Sequence, residues 1–189
     1  VGRPTLIHPT AIVYPNVRLG TGSVVEPHVV LGSTSGEPLE IGADALIRSG
    51  TRIYGGQIIG DRLRTGHNVL IRGRVTAGHD FTIGSYSSVE GTVTIGNGVT
   101  LQGRCEVADS TLQDGCRLWV QTIVCDNNLP PDGPKEPPTI GRNAKLYARV
   151  LVMPGVTIGE SAEVAANAMV KFDVPDRHLL TRSGALVAR

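Results

Sequence analysis

Cut every six residues, positions 41–83 read IGADAL IRSGTR IYGGQI IGDRLR TGHNVL IRGRVT AGHDFT I. The leading residues are Ile41, Ile47, Ile53, Ile59, Thr65, Ile71, Ala77 and Ile83, and the phase holds on to Ile95, Leu101 and Val107, so that ten of twelve positions carry Ile, Val or Leu. Working backwards, Leu31, Val25, Leu19, Val13 and Ile7 keep the step after a four-residue insertion. Forwards, one residue is lost before Leu112, Leu118 and Val124, and ten extra residues precede Ile140, Leu146, Val152, Ile158, Val164 and Val170. A second period is carried by glycine, since Gly42, Gly60, Gly78 and Gly96 are each 18 residues apart. Three hexads therefore make one turn of a repeat.

An α-helix needs apolar residues every three to four positions and is weakened by glycine in its interior. Short β segments with Gly, Asn and Asp between them fit instead, so the chain is expected to be all-β, each hexad forming one flat side of a prism. The aliphatic residue and the one four later, such as Ala45, Val75, Val93, Val99, Ala144 and Ala162, point inward. Corners fall to residues that tolerate a positive φ. At a strand spacing of ~4.8 Å, about eight to nine coils make a column roughly 40 Å long.

Composition agrees with a repetitive fold. The 189 residues include 24 Gly and 12 Pro but only four Tyr, two Phe and one Trp. A formal net charge of +1 removes the electrostatic case for nucleic acid or an anionic membrane as partner. No run nears the ~18 apolar residues of a membrane span, and the opening VGRPTLIHPT has neither a basic nor an apolar signal region. Cys105, Cys116 and Cys125 lack C-x-x-C spacing, which suggests neither a disulfide framework nor a zinc knuckle and favours the cytoplasm. The expected organisation is a column over 1–175, a Pro-rich loop protruding over 125–139, and a C-terminal tail over 176–189.

Leu19-Gly20, Ile41-Gly42, Ile83-Gly84-Ser85-Tyr86, Ile95-Gly96-Asn97-Gly98-Val99 and Ile158-Gly159-Glu160 resemble the hexapeptide repeats of left-handed parallel β-helix acyltransferases. The resemblance covers roughly residues 7–175. It implies a homotrimer with active sites between neighbouring columns and a thioester donor, acetyl-CoA or acyl carrier protein. A repeat specifies a scaffold rather than a chemistry, so the departures from it carry the functional reading.

Two breaks stand out: Ser33 to Pro38, which is read as a tolerated corner insertion, and Cys125 to Thr139, CDNNLPPDGPKEPPT, which has no apolar face and cannot lie in the prism. The longer one resembles the extended loop of hexapeptide sugar-nucleotide N-acetyltransferases and brings Asp126 and Asn127 forward as substrate contacts. It contains no His, unlike the corresponding region of maltose and galactoside O-acetyltransferases, which counts against O-acetyl transfer. Near the end, VMPGVTIG at 152–159 and Asp173-Val174-Pro175 look like the coils that bind CoA in the family. That likeness puts Gly155, Ala165 and Ala166 against the pantetheine arm and Lys171, Arg182 and Arg189 against its phosphates. Ala165 to Ala168 replaces the family's glycine-rich coil, and Phe172 stands where its Lys precedes Asp-Val-Pro.

Acyl transfer needs a group to take the acceptor's proton. His8, His28 and His178 are read as structural or solvent-facing. His67 and His79 each follow a glycine at a corner and face outward. The run AGHDFTIGSY at 77–86 looks like the His-Asp-Cys-x-Ile-Gly segment that carries the catalytic His of bacterial 4-amino-sugar N-acetyltransferases, which makes His79 the leading base and His67 the lesser candidate. Asp61, His79 and Asn97 lie 18 residues apart and should stack, so Asp61 is expected within reach of the His79 ring, with Asp80 as the competing partner. Arg48, Arg52, Arg62, Arg64, Arg72 and Arg74 lie among 27 residues with one acid, Asp61; Arg62 and Arg72 are the guanidinium groups assigned to the diphosphate of a nucleotide sugar.

The leading reading is acetyl transfer from acetyl-CoA to the amine of a nucleotide-linked sugar, with no metal. A non-catalytic scaffold is the alternative, followed by an O-acetyltransferase or a γ-carbonic-anhydrase-like metalloenzyme. The last would need closely paired histidines.

Overall fold

The computed structural model describes residues 3–125 and 136–189, and among them the only regular structure is strands, most of them two residues long. Each of the aliphatic positions counted above falls on one of the 26 strands from Leu6–Ile7 to Met169–Val170. With two further strands near the C-terminus, His178–Leu180 and Leu186–Ala188, they stack into three sheets of eleven, nine and eight strands, which form the sides of a left-handed parallel β-helix of about nine turns. The first face includes Arg64–Thr65, Thr82–Ile83 and Thr100–Leu101; the second, Leu70–Ile71 and Ser88–Glu90; the third, Ile58–Ile59, Arg74–Ala77 and Thr92–Ile95. No described helix is long and apolar enough to cross a membrane.

The register repeats the sequence period. Thr65 pairs with Ile83 and Ile83 with Leu101, while Ala77 pairs with Ile95. Where one residue is missing, the partner of Ile95 is Leu112 and the coil tightens at Asp109 and Ser110. Across the longer insertion Thr111 pairs with Thr139 and Leu112 with Ile140, so the register of the column is kept. Parallel pairing satisfies the backbone coil against coil, so stability accumulates from neighbour to neighbour.

Exceptions to the aliphatic rule are compensated locally. Ala77 is small, and Phe81, four residues later, is fully buried and heads the bulkiest side chains of the core. Thr65 is buried with its hydroxyl accepting the Arg48 amide at 2.9 Å. Buried Gln57 spends both amide ends on backbone, donating to the Gly55 and Gly73 carbonyls at 2.7 and 3.0 Å and accepting from Val75 at 2.7 Å.

The C-terminal residues join the column. His178–Leu180 adds a parallel strand below Glu163–Val164, and Leu186–Ala188 then pairs with it antiparallel. Glu163, largely shielded, receives Lys145 Nζ at 3.2 Å, the Tyr147 hydroxyl at 3.1 Å and Arg189 at 2.8 Å. Burial acts to raise its pKa, but these three donors outweigh that and leave it below the ordinary carboxylate value.

Because Phe81 is a fully buried aromatic in the core, Phe81→Ala should destabilise the column by about 3–5 kcal/mol. A urea titration should show a lower midpoint with an unchanged slope; an unchanged midpoint would refute this packing role.

Candidate active site

The chain turns between faces at three stacked corners. The corner from third to first face carries Ala43, Asp61, His79, Asn97 and Asp114 on five successive coils. At each turn the amide of this residue points along the column toward the next coil, where no sheet partner exists. A side chain from that coil accepts it: Asp61 Oδ1 takes the Ala43 amide at 2.8 Å, His79 Nδ1 the Asp61 amide at 3.0 Å, Asn97 Oδ1 the His79 amide at 2.9 Å, and Asp114 Oδ1 the Asn97 amide at 2.7 Å. Carbonyls run the other way, the Asp80 amide donating to Asp61 O at 2.9 Å and that of Gly98 to His79 O at 2.9 Å. Glycine makes room for this ladder, since a Cβ on Gly78 would lie 2.5 Å from Asn97 Oδ1.

His79 thus occupies a rung held elsewhere by carboxylate or amide oxygens. Its side chain is 54% exposed, and Nδ1 also lies 3.3 Å from Asp61 Oδ2. One nitrogen cannot both accept from the Asp61 amide and donate to the Asp61 carboxylate. With Nδ1 unprotonated, the amide is satisfied and Nε2 carries the hydrogen. With Nδ1 protonated, it faces Oδ2 and Nε2 presents a lone pair to solvent.

Asp80 does not hold the ring. Its carboxylate is engaged side-on by Arg62, with Nε to Oδ1 at 2.6 Å and the second nitrogen to Oδ2 at 2.8 Å. The hydrogen bond from Arg62 lowers the Asp80 pKa, with Arg62, His79 and Arg64 adding Coulombic support, and the same hydrogen bond raises that of Arg62. Next to this pair lies an open hollow of about 640 Å³ lined by Arg3, Thr21, Asp44, Arg62 and Arg64.

The other sequence candidates are dispersed. His67 sits on the corner from first to second face, its amide accepted by Ser85 Oγ at 2.9 Å. Arg72 is on the third corner, paired with Glu90 beside a separate hollow of about 430 Å³ that includes Ser33, Thr34 and Tyr54. Arg62 and Arg72 therefore cannot serve one ligand within a single column. Gly155 donates its amide to the Glu136 carbonyl at 2.6 Å, and Lys171 stands exposed one coil further along that corner. Ala165 and half-buried Ala166 lie on the His67 corner, where the Ala165 amide is already donated to Leu180 O at 2.9 Å. That strand addition removes the free amide expected there for a pantetheine arm. Arg182 is exposed in the C-terminal hairpin and Arg189 is bound to Glu163. Asp126 and Asn127 lie outside the described residues. Cys105 and Cys116 are buried, and burial pushes the Cys116 thiol up to about 12, which makes it a poor nucleophile. No three His, Cys, Asp or Glu side chains among the described residues come together as a metal site.

Fold and repeat together define a hexapeptide-repeat β-helix, and comparisons with known proteins agree. The family described as bacterial transferase hexapeptide (six repeats) matches residues 137–171. The bifunctional protein GlmU of Synechococcus elongatus is 28% identical over 185 residues, covering 91% of this chain and 40% of that protein. GlmU of Corynebacterium aurimucosum is 24% identical, with 97% and 36% covered, so the chain spans about two fifths of the length of these relatives. Among solved structures, LpxA of Bacteroides fragilis, a UDP-N-acetylglucosamine acyltransferase, superimposes with a TM-score of 0.84 at 18% identity, covering 96% of this chain and 74% of that one. LpxA of Moraxella catarrhalis gives 0.78 at 17%, covering 93% and 70%. The chain is thus similar in sequence to GlmU over two fifths of that protein's length, and in fold to LpxA.

The Arg62–Asp80 pair has a definite pH signature. Asp80 titrates lower folded than unfolded, so the pair's contribution is complete above the unfolded value near ~3.9 and is lost as pH falls through the folded value. Asp80→Asn should lower Tm slightly at neutral pH, by the little that a solvent-exposed pair contributes, and the two curves should converge as pH falls through that acid window. Calorimetric scans between about pH 5 and 2 read this directly; parallel curves for both proteins would contradict it.

Proposed function

We propose that the protein is an acyltransferase of the hexapeptide-repeat type that moves an acetyl group from acetyl-CoA to the amine of a nucleotide-linked sugar, working in the cytoplasm as a homotrimer. The observation that carries this reading is an exposed imidazole with Asp61 Oδ2 3.3 Å from Nδ1; Arg62, which holds the adjacent Asp80, lines a hollow together with Arg64. LpxA, which shares the fold, is described as an acyltransferase acting on UDP-N-acetylglucosamine, a reaction of the same general class.

In the active tautomer Nδ1–H donates to Asp61 Oδ2, and Nε2 accepts a proton from the acceptor amine as its nitrogen attacks the thioester carbonyl. The C–N bond forms, the C–S bond breaks, and the proton passes from Nε2 to the departing thiolate. Asp61 steadies the imidazolium between these steps. Arg62 and Arg64 face the hollow where a diphosphate would be neutralised, Arg62 being held in place by Asp80. Lys171 and Arg182 are exposed cations near the column's end, suited to phosphates of the donor.

Purified protein incubated with acetyl-CoA and a panel of nucleotide amino sugars should release free thiol with at least one of them. His79→Ala should lower kcat by roughly 10²- to 10⁴-fold without affecting assembly, and His67→Ala should cost much less. No thiol release with any acceptor would sink the reading, and equal small effects of the two substitutions would move the base elsewhere. Full activity in Asp61→Asn would leave His79 as a rung of the ladder and nothing more.

A further inference from the structure

From sequence alone, Ser33 to Pro38 reads as a corner insertion that the column merely tolerates. In the structure it is fastened on both sides. Asn16 Nδ2, on the preceding coil, donates to the Glu37 carbonyl, and the Gly56 amide, on the following coil, donates to the Pro38 carbonyl at 2.7 Å. The Ser33 and Ser35 hydroxyls lie 2.8 Å apart and tie the outer limb to itself. So held, the insertion walls one side of the open hollow of about 430 Å³ whose other side is Tyr54 and Arg72. That volume falls in the ordinary range of small-molecule sites, ~300–1,000 Å³.

Its floor is bare backbone. Gly55 and Gly73 line it, and neither could carry a side chain: a Cβ on Gly55 would run into the Glu37 carbonyl oxygen, and one on Gly73 into that of Gly91. Behind them stands Gln57, fully buried at an inward position held on the next two coils by Val75 and Val93. Its amide group donates to both glycine carbonyls, Gly55 at 2.7 Å and Gly73 at 3.0 Å, and accepts the Val75 amide at 2.7 Å. A buried amide is costly to a core unless every end is bonded. Here each end is, and two of its three bonds fix the residues that floor the hollow.

The side chains around that floor are hydroxyls, one aromatic ring and a balanced pair of charges. Arg72 gives Nε to Glu90 at 2.5 Å, and among the described residues its two terminal nitrogens, the Glu37 carboxylate and the hydroxyl of half-buried Tyr54 have no hydrogen-bond partner. With one carboxylate and one guanidinium, the lining has a formal charge of zero. The hollow near Asp80 instead sets Arg3, Arg62 and Arg64 against Asp44, so a phosphorylated ligand is drawn there and not here. What fits the neutral hollow is an uncharged molecule with several hydroxyls, each able to donate and accept, and an apolar face for the tyrosine. A sugar ring has these features, with C–H groups across its face and hydroxyls around its rim. We propose that this corner binds an uncharged saccharide, its ring packed on Tyr54 and its hydroxyls shared among Ser33, Ser35, Glu37 and Arg72. The site lies on a different corner from His79 and does not depend on the acyltransferase reading.

Saturation-transfer NMR on the 189-residue chain with methyl glucoside, galactoside, mannoside and N-acetylglucosaminide as probes tests this. At least one should bind, with a Kd on the order of 1 mM for so open a site, and its ring C–H protons should take up the saturation. Tyr54→Ala should weaken that binding by about tenfold or more, while Tyr54→Phe, which keeps the ring, should retain most of it. Thr34→Trp, at an exposed position of the insertion, should abolish binding by filling the hollow without touching the core. His79→Ala should bind the glycoside as the wild type does. Transfer to no glycoside, transfer unchanged in both Tyr54→Ala and Thr34→Trp, or displacement of the bound glycoside by inorganic phosphate overturns the proposal. Loss of binding in His79→Ala overturns it equally, since the sugar would then sit at the other corner. Thiol release from acetyl-CoA is scored apart from this, and its failure removes the acyltransferase reading while the saccharide site stands.

Discussion

At every turn of this column the backbone leaves an amide that no sheet can satisfy, and the architecture depends on how that amide is met. Along the His79 corner the answer is a side-chain acceptor from the next coil, at 2.7–3.0 Å over four consecutive rungs. The arrangement demands glycine one residue earlier, because a Cβ at Gly78 would collide with the acceptor. It also demands a short polar side chain of fixed reach, which Asp and Asn supply routinely and histidine supplies through Nδ1. Fold and chemistry therefore share one nitrogen. A residue placed in the ladder as an acceptor becomes a proton acceptor at its far side only when the near side gains a hydrogen, and the Asp61 carboxylate is positioned to receive it.

The scaffold was almost fully legible in the sequence because inward-facing positions obey a strict physical rule: each must fill the same narrow prism. The hexad phase located all 26 strands up to Val170, and the 18-residue glycine period located the coils. The stacking of Asp61, His79 and Asn97 followed from the same period. What could not be read were relations that depend on side-chain direction at exposed corners. Asp80 was as plausible a partner for His79 as Asp61 until its capture by Arg62 was seen. The C-terminal hairpin lacks the hexad rhythm, so nothing in its composition announced that it would add to the first face and consume the Ala165 amide. The inward place of Phe81 follows the repeat, whereas the burial of so large a ring among aliphatic positions does not.

The two large departures from regularity share one corner. The insertion after Leu31 and the tightened coil at Asp109 and Ser110 lie between the second and third faces, and the longer insertion falls in sequence between the same two faces, after Ile123–Val124 and before Thr139–Ile140. Variation is thereby kept from the other two corners. Confinement of this kind lets a solenoid change its surface on one side without disturbing the register on which the rest relies.

The antiparallel strand Leu186–Ala188 gives the column a direction. A stack of parallel coils exposes, at each end, a row of backbone donors and acceptors on which a further coil of any such protein could grow. By reversing the chain and tying Arg189 to Glu163, the C-terminal hairpin presents a strand of opposite polarity on the first face. An incoming parallel coil can no longer continue the winding there. On the first face the hairpin therefore ends the parallel winding, and the edge it presents there is that of an antiparallel strand.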